Sequence, residues 1–225
     1  LVILILTFFV IRPSLGNNNF RFFSPKKNLL FEYAIPVLFA NIAFALMTQA
    51  DMVLVKHFFS EQDAGIYAAA SVLGKAVLYL PGAFAIALFP MVAENHALGK
   101  SSINLFLQAI GLTAFLSLIG SLFFYFLADH IILLSYGTDY KEASSILKYF
   151  GFAVLPMSLI MVAEYFLIAM GRVLFAYLFI VVAPLQLITI YYNHNTMLSI
   201  VFIMFMSGAI LAMAGYGLLW KEFKK

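Results

Sequence analysis

Six apolar stretches, divided by short polar breaks, constrain this chain more than any other feature. They run over Glu32–Lys56, Gly65–Val92, Ile103–Ala128, Ser144–Met170, Val173–Tyr191 and Met197–Trp220, between 19 and 28 residues each. An α-helix rises 1.5 Å per residue, so about 20 residues cross the ~30 Å hydrocarbon core of a bilayer. Lipid offers no partner to the backbone, which leaves helices and closed barrels as the spanning forms, and these stretches have helical lengths. The expected fold is an all-α integral membrane protein, a bundle of about six transmembrane helices. Charged residues make up only 10% of the chain, against about 25% in a soluble domain, and the mean hydropathy is +1.02.

The breaks carry helix-stopping chemistry: Arg12-Pro13-Ser14-Leu15-Gly16 followed by three Asn, Glu94–Ser102 with Gly99, Tyr136-Gly137-Thr138-Asp139, Gly171-Arg172, and Asn193-His194-Asn195-Thr196. They divide the chain into 1–11, the end of a truncated helix; 12–31, a basic cytoplasmic linker; 32–220, the membrane body; and 221–225, a cytoplasmic tail. The chain opens at Leu1, inside an apolar run, with no starting Met, basic segment or cleavage site. It therefore reads as part of a longer protein rather than as a secretory leader. Alternating the loops across the membrane puts Arg12, Arg21, Lys26, Lys27, Lys100, Arg172, Lys221, Lys224 and Lys225 on one side. Lys56 and Lys141 fall on the other, with Lys148 just inside the next helix. The positive-inside rule places the first side, with the C-terminus, in the cytoplasm.

Ionisable groups at membrane depth cost about 2.5–3.5 kcal/mol each on insertion scales, so each is expected to face a partner or a wet cavity. Lys75 lies ten residues past Gly65, about 15 Å deep, on a face shared with Ser71, Leu78 and Gly82. It is read either as a group for an anionic head group or as one half of a structural lock. Asp51 is its candidate partner, unless it reaches the outer interface on its own. The helix of Asp51 also carries Asn41, Thr48 and Gln49 within about 160° of arc, a polar flank that suggests a wet interior. Glu164 is read as a proton or cation site, or as an alternative partner for Lys75. Pro81-Gly82 and Pro156 are candidate kinks. Glu32 suits the start of its helix.

The four histidines (57, 96, 130 and 194) fall at helix ends or loops without metal-ligand spacing, and there are no cysteines. No nucleophile–base pair, phosphate loop or carboxylate dyad appears, so the sequence argues for neither an enzyme nor a cofactor. A five-residue basic tail offers no stripe or fold for nucleic acid.

The run Ala50–Lys56, then Asp63–Ala70, Gly74-Lys75, Leu80-Pro81 and Leu88-Phe89-Pro90, resembles the oligosaccharide-lipid flippases of the multidrug/oligosaccharidyl-lipid/polysaccharide exporter superfamily. Tyr136–Ala143 and Ile168–Arg172 are similar to the same family, so the resemblance covers about Leu29 to Arg172. It implies the second lobe of a 12-helix, MATE-like, V-shaped transporter in the bacterial cytoplasmic (inner) membrane, with 12–31 as the inter-lobe linker. The first lobe would be a missing partner. The implied cargo is an undecaprenyl-diphosphate-linked oligosaccharide, moved by alternating access among membrane lipids with H+ or Na+ as a possible coupling ion. Lys75 matches the family's charged position in the second helix of the lobe, and Asp51 the acidic residue of the first. The alternatives are a cation-coupled multidrug exporter of the same superfamily, a membrane glycan polymerase or ligase, and a membrane scaffold. An exporter would favour several cavity carboxylates; a polymerase or ligase would need a long outer loop, and the longest here is Asp129–Ala143.

Overall fold

The computed structural model describes residues Lys27 to Phe223, Val173 excepted. The expected helix end 1–11, most of the 12–31 linker, and Lys224 and Lys225 lie outside the described residues. The chain divides into two compact units, Leu1–Ala34 and Ile35–Lys225, and the account below is of the second.

The described residues form seven α-helices and no strand: α1 (Lys27–Phe58), α2 (Glu61–Gly74), α3 (Ala76–Ala97), α4 (Ile103–Tyr136), α5 (Ala143–Ala169), α6 (Leu174–Tyr192) and α7 (Met197–Phe223). Among the described residues, five of these, α1, α4, α5, α6 and α7, hold windows long and apolar enough to cross a membrane. Their outer surfaces agree: Leu134 is 91% exposed and Phe126 72%, tolerable for side chains whose solvent is lipid.

The helix ends are chemically specified. Ser60 caps α2, its hydroxyl accepting from Asp63 N–H at 3.1 Å and donating to Asp63 Oδ2 at 2.7 Å, a serine N-cap. At the end of α5 the chain turns through Gly171 at φ 71°, a conformation other residues rarely adopt. There Gly171 N–H bonds Ile168 O and Arg172 N–H bonds Leu167 O, both at 2.9 Å, the paired bonds of a Schellman stop.

The centre of the bundle is α5. Two-thirds of its apolar window is buried, against 22–33% for the other four spans, and it packs on α2, α3, α4 and α7. Helix α6 lies against α7. Helix α1 meets α6 through Phe44 on Phe179, ring centroids 5.8 Å apart, and through Phe58 on Tyr191 at 5.4 Å.

Several expected boundaries move. The span read as Glu32–Lys56 begins at Lys27, inside the expected linker, and ends at Phe58. Glu32 is thus in the second turn of α1 rather than at its start. The span read as Gly65–Val92 is two helices, Glu61–Gly74 and Ala76–Ala97, separated by the single residue Lys75. The break therefore precedes the Pro81-Gly82 pair, which lies inside α3. Pro81 has no N–H to give the carbonyl four residues back, and Ser117 of α4 supplies a donor to that carbonyl, Val77 O, at 3.4 Å. Pro156 likewise sits within α5. The expected Ile103–Ala128 continues to Tyr136: Asp129 and His130 end the lipid-compatible composition but not the helix. The expected outer loop shrinks to a connection of residues 137–142, which include a 3₁₀ turn at Thr138–Tyr140. Helix α5 starts at Ala143 and ends at Ala169, one residue early at each end, and α6 is Leu174–Tyr192 against an expected Val173–Tyr191. Helix α7 runs on to Phe223, so most of the expected tail is helical.

Candidate functional site

Tyr67, Ser71 and Lys75 follow one another at intervals of four, which stacks them on one face of α2 and its C-cap. That face turns toward Asp51 of α1. Lys75 Nζ lies 3.0 Å from Asp51 Oδ1, with side-chain exposures of 5% and 0%. The other oxygen, Oδ2, accepts from Tyr67 Oη at 3.0 Å and Ser71 Oγ at 3.3 Å. The carboxylate therefore holds three donors. Taking two charges out of water costs several kcal/mol per ion, and such dressing is what makes a buried pair tolerable. Tyr67 is fully buried, its hydroxyl 3.8 Å from Met204 Sδ of α7.

Lys75 has a second acceptor, Gln49 Oε1 at 3.3 Å, and Gln49 Nε2 in turn donates to Tyr79 Oη. Gln49 and Tyr79 are both exposed. A hydrogen-bonded path thus runs from fully buried Asp51, through Lys75, to the surface. The Phe150 ring of α5 flanks the ammonium, its centroid 6.0 Å from Nζ. It also packs edge-on against Tyr67 at 5.8 Å. The ring reaches this position because residue 74 is glycine: a Cβ there would fall 2.6–2.8 Å from Phe150 atoms.

The structure thus brings together Asp51, Lys75, Ser71 and Gln49, and leaves the other candidates apart. Asn41 is exposed and bonds its own helix at Val37 O, 2.8 Å. Thr48 is buried but bonds Phe44 O, 2.9 Å, also on its own helix. Asn41 and Thr48 of the polar flank expected on α1 thus make no hydrogen bond to the Asp51 network. Glu164 is 5% exposed, and its Oε1 has no hydrogen-bond partner among the described residues. It does not partner Lys75, which Asp51 occupies. Pro81, Gly82 and Pro156 are buried in helix interiors.

Two other polar clusters were not read from the sequence. Ser117 and Ser158 hydroxyls meet at 2.7 Å between α4 and α5, beside the Val77 carbonyl. Gln186 of α6 donates to Met47 O of α1 at 2.9 Å and accepts from Ser207 of α7 at 2.8 Å. A lone Gln inside an apolar span was the available signal for the second. Tyr67 and Tyr79, also unread, lie at spacings of eight and four from Lys75. An apolar groove of about 410 Å³ between α5 and α7, lined by Tyr149, Phe152, Leu198 and Phe202 among others, shares no residue with the ion pair. Among the described residues no three His, Asp or Glu side chains are grouped to hold a metal. His194 stacks on Phe58 at 3.8 Å and His57 is exposed at the end of α1, whereas His130, expected at a helix end, is exposed inside α4, which continues to Tyr136.

These features define a multi-pass membrane protein with a dressed ion pair enclosed among its helices and one polar outlet. The chain belongs to the polysaccharide biosynthesis protein family, whose sequence profile matches residues 1–145 of its 225. No curated protein and no solved structure matches it significantly.

Proposed function

We propose that the chain is part of a flippase that carries an undecaprenyl-diphosphate-linked oligosaccharide, such as an O-antigen, capsule or exopolysaccharide repeat unit, across the bacterial cytoplasmic membrane by alternating access. The observation that carries this reading is a lysine enclosed among apolar helices with a hydrogen-bonded path to exposed residues, in a chain of a polysaccharide biosynthesis family. An intramembrane ionisable residue marks a substrate or ion pathway by default. In this reading the described helices are the second lobe of a two-lobed transporter, the C-terminus is cytoplasmic, and a first lobe completes the cavity. Glu164 is a candidate for the coupling ion, H+ or Na+.

Two buried carboxylates, Asp51 and Glu164, give the multidrug-exporter alternative some support. A polymerase or ligase is less well supported, because the outer connection between α4 and α5 is only residues 137–142. The test expresses the complete gene in a strain lacking its own repeat-unit flippase and measures surface polysaccharide at matched membrane abundance. Restoration supports flipping. Failure across strains with different repeat units, together with drug efflux in transport assays, would move the reading to the exporter.

A further inference from the structure

The two halves of the buried pair are not held equally. Asp51 keeps two hydroxyl donors, Tyr67 and Ser71, whatever the ammonium does. Lys75 holds only Asp51 Oδ1 and Gln49 Oε1, so one of its three N–H groups has no oxygen acceptor among the described residues. Gln49, its second contact, belongs to the exposed side of the network rather than to the interior. The lysine stem is flexible, whereas Asp51 is short and anchored. The backbone of Lys75 is also the one-residue joint between α2 and α3, so the position of its ammonium and the geometry of that joint are linked.

We infer that Lys75 is an exchangeable counter-ion: held by Asp51 in this conformation, it leaves for a phosphate-class anion arriving over Gln49 and Tyr79, while Tyr67 and Ser71 keep Asp51 in place. Phe150, packed at the joint through Gly74, is the wall against which the lysine moves. The inference rests on the reading of a lipid-linked, phosphate-bearing cargo. A structural lock predicts the reverse, that charge placement on the two helices is interchangeable and that freeing the lysine yields no anion affinity.

The test uses the protein from its complete gene, purified into nanodiscs, with inorganic pyrophosphate as one probe and undecaprenyl phosphate doped into the lipid as the other. Asp51→Asn keeps an oxygen for Tyr67 and Ser71 but removes the competing charge, so binding should tighten roughly tenfold. The Asp51→Asn/Lys75→Met double variant, a neutral pair of similar volume, should bind at background. Binding in both arms assigns the site to the phosphate group itself; binding only in the doped lipid assigns it to a membrane-borne head group. This chain has no cysteine, so Gln49→Cys, with any cysteine elsewhere in the complete protein replaced by serine, gives a second readout. Pyrophosphate or the doped lipid should slow its maleimide labelling several-fold even if Asp51→Asn folds poorly. Equal binding by wild type, Asp51→Asn and the double variant, with no protection of Cys at position 49, overturns the inference. So does full recovery of surface polysaccharide by the charge swap Asp51→Lys/Lys75→Asp. If wild type never restores polysaccharide but the binding pattern holds, the flippase reading fails and counter-ion exchange stands.

Discussion

Two of the polar clusters inside this bundle are built on opposite plans. Between α4 and α5 the contact is neutral: Ser117 meets Ser158, Ser121 returns to Ser117 O at 2.7 Å, and all three are fully buried. Its task is local, since Pro81 leaves Val77 O short of a donor and Ser117 supplies one. Between α1 and α2 the contact is charged and opens, through Gln49 and Tyr79, onto an exposed face. A hydroxyl that answers a proline can be closed off once the carbonyl is satisfied. A charge kept near a surface retains somewhere to go. Buried polarity in a membrane bundle is therefore better judged by whether it has an exit than by how deep it lies.

That contrast can be broken by substitution. Lys75→Met alone strands Asp51 in the interior and should cost about 3–5 kcal/mol, the range for halving a buried pair. The loss should appear as a lowered melting temperature in detergent, largely recovered by adding Asp51→Asn; failure to recover would mean that the lysine stem packs in a way no neutral chain replaces. Gly74→Ala should cost about 1–3 kcal/mol by overpacking against Phe150, and a tolerated alanine would show that the ring is free to move. Ser117→Ala should cost about 1 kcal/mol and leave polysaccharide export unchanged at matched abundance. If export fell instead, the neutral seam would not be merely structural. Glu164→Gln should not lower stability, because among the described residues Oε1 has no partner to lose and the amide carries no charge to bury; a loss of export with stability intact would mark Glu164 as the coupling site. Lys148→Ala, which removes an exposed 2.9 Å pair with Asp129 of α4, should leave melting unchanged.

What the sequence disclosed, and what it hid, follows from how rarely each residue type occurs in lipid. Asp51 and Lys75 were legible as partners because charges in apolar spans are few, and helical rise leaves the two about 8 Å apart in depth, a gap a lysine stem can mostly close. Tyr67 was not, since tyrosines are common here and an apolar helix gives no sign of which way it faces. Ser60-Glu61-Gln62-Asp63 would have placed the start of α2 four residues earlier, had its capping pattern been weighed above hydropathy. Hydropathy also ended α4 at Ala128, although a helix can leave the bilayer without unwinding. Asn41 and Thr48 looked like part of a wet face; each instead satisfies itself one turn back on its own helix, a local escape that spacing alone does not reveal.

The pair also implies an order of assembly. Asp51 precedes Lys75 by 24 residues, so during synthesis α1 emerges first and α2, only 14 residues long, follows with a lysine at its end. Released alone into lipid, that lysine would bear the insertion cost of an unpaired charge. Partitioned beside α1 as a hairpin, it arrives opposite a carboxylate already at the right depth. The hairpin of α1 and α2 is thus the smallest stretch of this chain that brings the two charges together.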